Sequence, residues 1–574
     1  MRSRSRLGFV VLAGCLASCS HTCSRKQPAA DDDPSSPIAT SSETSGPTSA
    51  AAPIHVTLPK TPWPVNQQAL HVLNRLAFGP RPGEIEAVAK AGVAAWIGAQ
   101  LRPVAVADTA VEARLRAMPA LTMSIGALHE TYPQPKAAAK AAASAAASAV
   151  PSMMPSIPVA PQGPVNDMTP PGTATETPKD MIRQLVAQKI LRAVASERQL
   201  QEVLVDFWFN HFNVTVEKGQ VKWYAIPYER DAIRPHVFGR FRDLLGATAH
   251  HPAMLFYLDN WQSVGADRAH DGGTAKPQGL NENYGRELLE LHTLGVDGGY
   301  SQNDVTETAR AFTGWSIEQP NRDAAFTFHP KKHDQEEKHL LGKVIKDGGQ
   351  KDGEHVLDLL VASPATARFV ASALCQKFHS DHPPEALVKR VADVFSRSGG
   401  DLTRVYEAIF TAPEFWSDAA FRTKTKTPLE LVASALRAVG AQTDDAEPVS
   451  REIDKLGEPL YHCAPPTGYK ETADAWVSTG GLLARINFGV TLAGGRIKGT
   501  TFDREKLAGT PFPTEEGALV DRLADSVLHT PLSPASRAVI VKELEHADPY
   551  QEPSPTTLPL ALGLILGSPE MQKQ

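Results

Sequence analysis

Cysteine is scarce in this chain and is placed badly for crosslinking: there are five in 574 residues, and Cys15, Cys19 and Cys23 all fall within the first 23. Only Cys375 and Cys463 remain for the body, which excludes a disulfide-stapled scaffold. Cys375 lies in the helical pattern Ala371-Ser372-Ala373-Leu374-Cys375, where a buried, inert thiol is expected rather than a bridge to Cys463. No basic excess exists either. Lys and Arg number 58 against 64 Asp and Glu, a net charge of -6, so a dedicated nucleic-acid binder is excluded as a class. No apolar run reaches the length of about 18 residues that a membrane span needs, which excludes a polytopic membrane protein. Also missing, in their required contexts, are the G-x-S-x-G elbow, the Walker A loop, the dinucleotide fingerprint, H-E-x-x-H and paired C-x-x-C. These absences leave the cofactor unknown and name no reaction. A hydrophobic content of 42% still provides for a folded core.

The N-terminus carries a compartment signal. A basic start, Met1-Arg2-Ser3-Arg4-Ser5-Arg6, precedes an apolar stretch from Leu7 to Ala17 that is too short to span a bilayer, the layout of a secretory signal. Leu12-Ala13-Gly14-Cys15 and Leu16-Ala17-Ser18-Cys19 both resemble the bacterial lipobox. Cleavage before Cys19 leaves an apolar region of ordinary length, so Cys19 is the expected lipidation site. Each buried methylene of an acyl chain contributes about 0.8 kcal/mol, so a multiply acylated Cys holds a soluble body at a membrane without a spanning helix. The expected address is the bacterial cell envelope, on its periplasmic or outer face.

Residues 1–18 read as signal and 19–62 as a lipidated disordered tether, with eight prolines between Gln27 and Pro64. Residues 63–131 read as the N-terminal helical part of the main domain. An insertion at 132–178 follows, with ten prolines and an Ala tract in which ten of the thirteen residues from Ala137 to Ala149 are Ala. Residues 179–574 complete the domain. Its fold class is mainly α: a multi-helix body with helices expected near 180–212, 282–294, 303–313, 354–378, 384–397, 402–411, 428–439, 472–490 and 535–545. One small hairpin is expected between Phe326-Thr327-Phe328 and His339-Leu340-Leu341. The run from Leu558 to Leu566 is too short for a membrane and fits a buried helix.

Three clusters could carry chemistry. In the segment from Asn281 to Gly295, helical spacing puts Asn283, Arg286, Glu287 and Glu290 on one stripe, with Tyr284, Leu288, Leu289 and Leu291 on the other side. Glu287 and Glu290 are candidate catalytic carboxylates and Arg286 a candidate anion clamp, with Asn283 beside them as a binding residue. The alternative is a solvated face carrying Glu282/Arg286 and Arg286/Glu290 pairs. His292 projects from the apolar side, and so does His211 in Asp206-Phe207-Trp208-Phe209-Asn210-His211-Phe212-Asn213; both are candidate binding residues, or packed core histidines. His329, His333 and Asp334 are candidate metal ligands at the hairpin turn, although Pro330 breaks helical spacing there and Lys331 and Lys332 oppose a cation. Ser301 and Asp304 read as a capping box.

These residues also carry a resemblance. Leu73-Asn74-Arg75-Leu76-Ala77-Phe78-Gly79, Trp208-Phe209-Asn210-His211-Phe212, the run from Asn281 to Gly295, Ala309-Arg310-Ala311-Phe312-Thr313-Gly314-Trp315, Lys426-Thr427-Pro428-Leu429-Glu430 and Pro466-Thr467-Gly468-Tyr469 resemble the bacterial family catalogued as domain of unknown function 1800. The resemblance runs from about residue 65 to the end and implies an exported bacterial protein, often encoded beside a second exported family, with no established reaction. Two functions follow as expectations. One is a lipoprotein that binds or assembles a co-exported protein partner or an envelope polymer, held at the membrane by its lipid. The other is a metal-assisted or carboxylate-based hydrolase of envelope material.

Overall fold

The computed structural model describes residues 54–134, 176–265, 279–346, 348–547, 554 and 556–574. The signal, Cys19, nearly all of the tether and nearly all of the insertion lie outside the described residues. Those described belong to one unit, 50–574, and helix dominates it.

The elements that position the site are α1 (Val65–Arg75), α2 (Thr109–Leu115), α3 (Pro178–Ala195), α4 (Gln199–His211), α5 (Asn283–Glu287), α6 (Gln302–Ala311), α7 (Lys351–Val361), α8 (Pro364–Phe378), α9 (Pro428–Ala438), α10 (Ala446–Lys455), α11 (Thr479–Ala493), α12 (Arg504–Ala508) and α13 (Leu558–Leu566). The helix expected over 180–212 is two helices. Ser196 is extended, and its hydroxyl donates to Asp108 at 2.7 Å, so the chain turns between α3 and α4. The one expected over 354–378 divides where Ser363 caps α8 and Pro364 takes the first helical position, which needs no donor. After Glu287, α5 passes into a π-helical turn, Leu288–Thr293. Ser301 and Asp304 form the capping box at the start of α6.

Strand pairing differs from the expected hairpin. β1 (Trp315–Glu318) pairs with β2 (Ala325–Phe328), Trp315 opposite Phe328, and β3 (Lys338–Leu340) pairs with β4 (Lys343–Ile345). Phe326–Phe328 and His339–Leu341 therefore join separate hairpins. Three or four residues of alternation fit either partner, and the tight turn at Leu341-Gly342, both at positive φ, selects the local one. A third pair, β5 (Gln442–Thr443) with β6 (Thr500–Thr501), closes the set.

A continuous apolar core runs from Val56 to Met571. α11 and α13 pack closely across it because their contact is made of glycine. A Cβ on Gly489 would lie 2.7 Å from the Gly563 carbonyl oxygen, and one on Gly567 would lie 3.0 Å from the Ile486 Cα. The Leu558–Leu566 helix is thus a core element, with Leu558, Leu562, Ile565 and Leu566 buried. Among the described residues no single helix is long and apolar enough to cross a membrane.

Candidate functional site

Lysine on the apolar side of a helix must find an anion or lose its proton. Two such lysines organise the interior. Lys189 of α3, 9% exposed, bonds Asp206 of α4 at 2.7 Å, lies 3.9 Å from Glu229 and faces the ring of Tyr461. Lys377 of α8, still more buried, bonds Glu430 of α9 at 2.9 Å and Glu471 at 3.1 Å. Burial opposes charge on both, yet the adjacent carboxylates hold each above the ordinary lysine value. Glu229 is tied down further by Tyr461, whose hydroxyl donates at 2.6 Å, by Gln188 at 2.6 Å and by Arg234 at 3.3 Å. These contacts keep it ionised, below the usual carboxylate range.

Glu458 differs from its neighbours. It is buried and accepts from the Leu429 N–H at 2.8 Å. Burial first, then the negative charge of Asp206, push its carboxyl up to about 8. A carboxyl that favours its proton at neutral pH therefore sits beside carboxylates bound by lysine. Cys463, buried by the same walls, is pushed up to about 11 by burial, so it is a thiol at neutral pH. Cys375 and Cys463 are both free.

Residues 459–476, within the connection from α10 to α11, cross the cluster as a strap and contribute Tyr461 and Glu471 to it. Asn210, on the polar edge of α4, clamps the strap with both ends of its amide: Oδ1 accepts from the Tyr469 N–H and Nδ2 donates to the Tyr469 carbonyl, each at 2.7 Å. One turn later Asn213 donates to the carbonyls of Cys463 at 3.0 Å and Pro465 at 2.8 Å. The Tyr257 hydroxyl donates to the Ala464 carbonyl at 2.6 Å. The clamp needs glycine at 468, where φ is +68° and a Cβ would lie 2.4 Å from the Asn210 carbonyl oxygen. Between strap and cluster lies a cavity of about 30 Å³, lined by Asp206, Asn210, Glu458, Tyr461, Cys463 and Tyr469 among others. That is room for one or two waters and for no larger molecule while the strap is down.

The candidates from the sequence fall into separate places. Arg286 pairs with Glu282 at 3.2 Å and accepts no role toward Glu290; its other contact is Gln302 at 3.1 Å. Glu290 accepts from the Tyr300 hydroxyl at 3.4 Å. Asn283 is exposed, and Glu287 is half-buried, its carboxyl raised by burial and by Glu290. Of the stripe, Asn283 is exposed while Arg286, Glu287 and Glu290 are half-buried, and the first of its two expected pairs is formed. His211 and His292 do meet: His211 Nε2 donates to the His292 carbonyl at 3.1 Å, and their ring centroids are 6.3 Å apart. Burial lowers them to about 4 and about 3, so both are neutral. They sit among Phe212, Phe369 and Trp208 as packed aromatic-like rings.

The proposed metal set is dispersed. His333 is fully buried, with Nδ1 2.7 Å from the Thr313 carbonyl and Nε2 3.2 Å from Asp352, which also bonds the buried Lys338 at 2.6 Å. Asp334 turns to Arg310, which meets both its oxygens at 2.9 and 3.0 Å. His329 follows β2, and its backbone N–H bonds Gly314 at 2.8 Å. Among the described residues no group of three His, Cys, Asp or Glu side chains is placed to hold a metal ion. Lys331 and Lys332 next to the pair are one physical reason, and the stronger reason is that Arg310 and Lys338 already neutralise the carboxylates.

Sequence reasoning did not single out Lys189, Lys377, Glu458 or Glu471. The available signal was a charged residue inside an apolar helical face, as in Lys189-Ile190-Leu191 and Leu374-Cys375-Gln376-Lys377-Phe378. The segments around them were legible: Trp208–Phe212, Lys426–Glu430 and Pro466–Tyr469 converge on this cluster, through Asn210, Glu430 and Tyr469 respectively.

Fold and site together define a class: a mainly helical protein built around a closed, charge-compensated interior, with the site roofed by a clamped strap. The chain belongs to the DUF1800 family, described as a protein of unknown function, whose family model matches residues 71–573. No curated protein and no solved structure matches the chain.

Proposed function

We propose that this is an exported, lipid-anchored protein of the bacterial cell envelope whose body binds a co-exported protein partner. The observation that supports this reading is an exposed apolar row where the strap enters α11: Val477, Leu482, Leu483 and Ile486 are 44, 38, 59 and 40% exposed. Leu482 and Ile486 are one helical turn apart and share a face. Arg485 anchors α11, donating to the Lys426 carbonyl at 2.9 Å, and the glycine contacts with α13 seat the helix against the core. An apolar row on such a helix is a surface that association with a complementary apolar patch would cover. The partner is therefore a protein with an apolar groove or helix face.

The test is capture from solubilised membranes by the full-length lipoprotein. The Leu482→Glu, Leu483→Glu double variant should lose the protein partner that the wild type recovers, while its unfolding midpoint stays unchanged. Equal recovery by both would sink the assignment of this face. Labelling with a fatty-acid analogue tests the anchor separately: Cys19→Ser should abolish the label.

A second reading, a carboxylate-based hydrolase of envelope material, draws on one specific feature, the buried Glu458, its carboxyl pushed up to about 8, near the lysine-bound Asp206. A buried carboxyl that keeps its proton at neutral pH suits a general acid. It requires the strap to lift, since the cavity admits only water. Hydrolysis of isolated envelope polymer that persisted in Glu458→Gln would remove this reading.

A further inference from the structure

One recess shares no lining residue with the strap or with the apolar row of α11. It holds about 650 Å³ and lies between α2, α3, the end of α9 and α12. A volume of that order is what small-molecule sites offer. Its floor is apolar: Ile190, Leu191 and Val194 come from one face of α3, and Leu436 and Ala441 from the end of α9. Met118 adds an adaptable wall.

The lining carries charges of both signs. Two of its arginines are consumed by the fold. Arg437 bonds Glu84 at 2.8 Å and the Val194 carbonyl at 3.0 Å, and Arg81 bonds Glu197 at 2.7 Å. The other two cations are different. Arg114 of α2 donates to the Thr443 carbonyl, and Lys506 of α12 is exposed; among the described residues neither is in an ion pair. Asp444 and Asp445 also stand on the rim, Asp445 capping α10 by accepting from the Glu447 N–H at 3.0 Å. Arg114 therefore brings to the mouth of an apolar recess a guanidinium fork with donors to spare and no carboxylate.

We propose that this recess binds a single-chain amphiphile with one anionic head, its apolar chain lying on the floor from α3 and α9 and its head taken by Arg114 and Lys506. The simplest such ligand is an acyl carboxylate; an alkyl phosphate presents the same chemistry. Neither needs the strap to move.

The test is calorimetric titration of the intact soluble body with dodecanoate, dodecyl phosphate and dodecanol below their micellar concentrations. One anionic ligand should bind saturably, the tighter of the two naming the source of the head. Dodecanol should bind about tenfold more weakly, the loss of a charge-assisted contact. Val194→Trp, which fills the recess from a partly exposed position, should abolish binding. Arg114→Ala with Lys506→Ala should weaken the anionic ligand about tenfold and leave dodecanol unchanged. Circular dichroism and the unfolding midpoint of each variant confirm that it is folded; Arg114→Ala alone, at the surface, serves if Val194→Trp is not. No saturable binding below about 1 mM, dodecanol as tight as the anions, or binding indifferent to Arg114 would each overturn the proposal.

Discussion

Replacing Asn210 by Ala should loosen the strap, and the thiol of Cys463 reports it. The Asn210 amide makes two hydrogen bonds to Tyr469, each 2.7 Å long. A typical intramolecular hydrogen bond contributes about 0.5–1.5 kcal/mol net, so removing both costs the closed strap about 1–3 kcal/mol. Since 1.4 kcal/mol is about a factor of ten, the open population should rise by about 5- to 150-fold. Cys463 lies on the strap, 6% exposed, and its thiol donates to the Pro465 carbonyl at 3.9 Å. When opening and closing are fast, the rate of modification by an excess of an aromatic disulfide tracks the open population. The wild-type rate at pH 8 is the baseline. Cys375, buried within α8 and pushed up to about 12 by burial, is the control that should not change. A Cys463 rate in Asn210→Ala within twofold of wild type, with Cys375 silent in both, would refute the clamp. Both thiols accelerating together would mean general destabilisation, and the strap would then not be a separate unit.

Other consequences follow from the same geometry. Lys377→Met leaves Glu430 and Glu471 buried without their cation, a loss of about 3–5 kcal/mol in denaturant unfolding; adding Glu430→Gln and Glu471→Gln should restore most of it, because a buried neutral set has no charge to desolvate. Glu458 is raised to about 8, so between about pH 4.5 and 8 the native state holds a proton that the unfolded state has lost. Its contribution is full below that window and declines as pH rises through it, by up to about 1.4 kcal/mol per pH unit, and Glu458→Gln should flatten that slope. His292 runs the other way: neutral in the fold and lowered to about 3, it makes stability fall as pH drops from about 6.5, a loss that His292→Phe should reduce in acid titration of the unfolding midpoint. Gly489→Val puts side-chain atoms where the Gly563 carbonyl already lies 2.7 Å from a Cβ, and should lower the midpoint by more than the few tenths of a kcal/mol of a surface change.

The sequence was most legible where a local rule acts alone. Ser301 with Asp304 marked a helix start, and the apolar run Leu558–Leu566 a buried helix, since each depends on neighbours within a turn or two. It was least legible where the partner lies far along the chain. Phe326–Phe328 alternates too briefly to choose between Trp315–Glu318 and His339–Leu341, and the tight local turns decided. The candidate site shows the same limit. A stripe of Asn283, Arg286, Glu287 and Glu290 is conspicuous by spacing, yet only the first of its two expected pairs is formed. Lys189 and Lys377 are isolated letters in apolar segments, and their carboxylate partners come from α4, α9, the strap and beyond, up to 94 residues away in the case of Glu471. His333 and Asp334 read as ligands because they are adjacent, whereas their side chains part company to Asp352 and Arg310. Charge and periodicity along one chain do not state which cation answers which anion.

Whether α11 presents a partner-binding face is decided by a photoreactive residue placed at Leu483 in cells making the full-length protein. The account predicts a crosslink to one exported protein from Leu483, the most exposed of the row, and none from a matched probe at Val539, which is 61% exposed on a different helix. No crosslink from Leu483, or the same products from both positions, would contradict it.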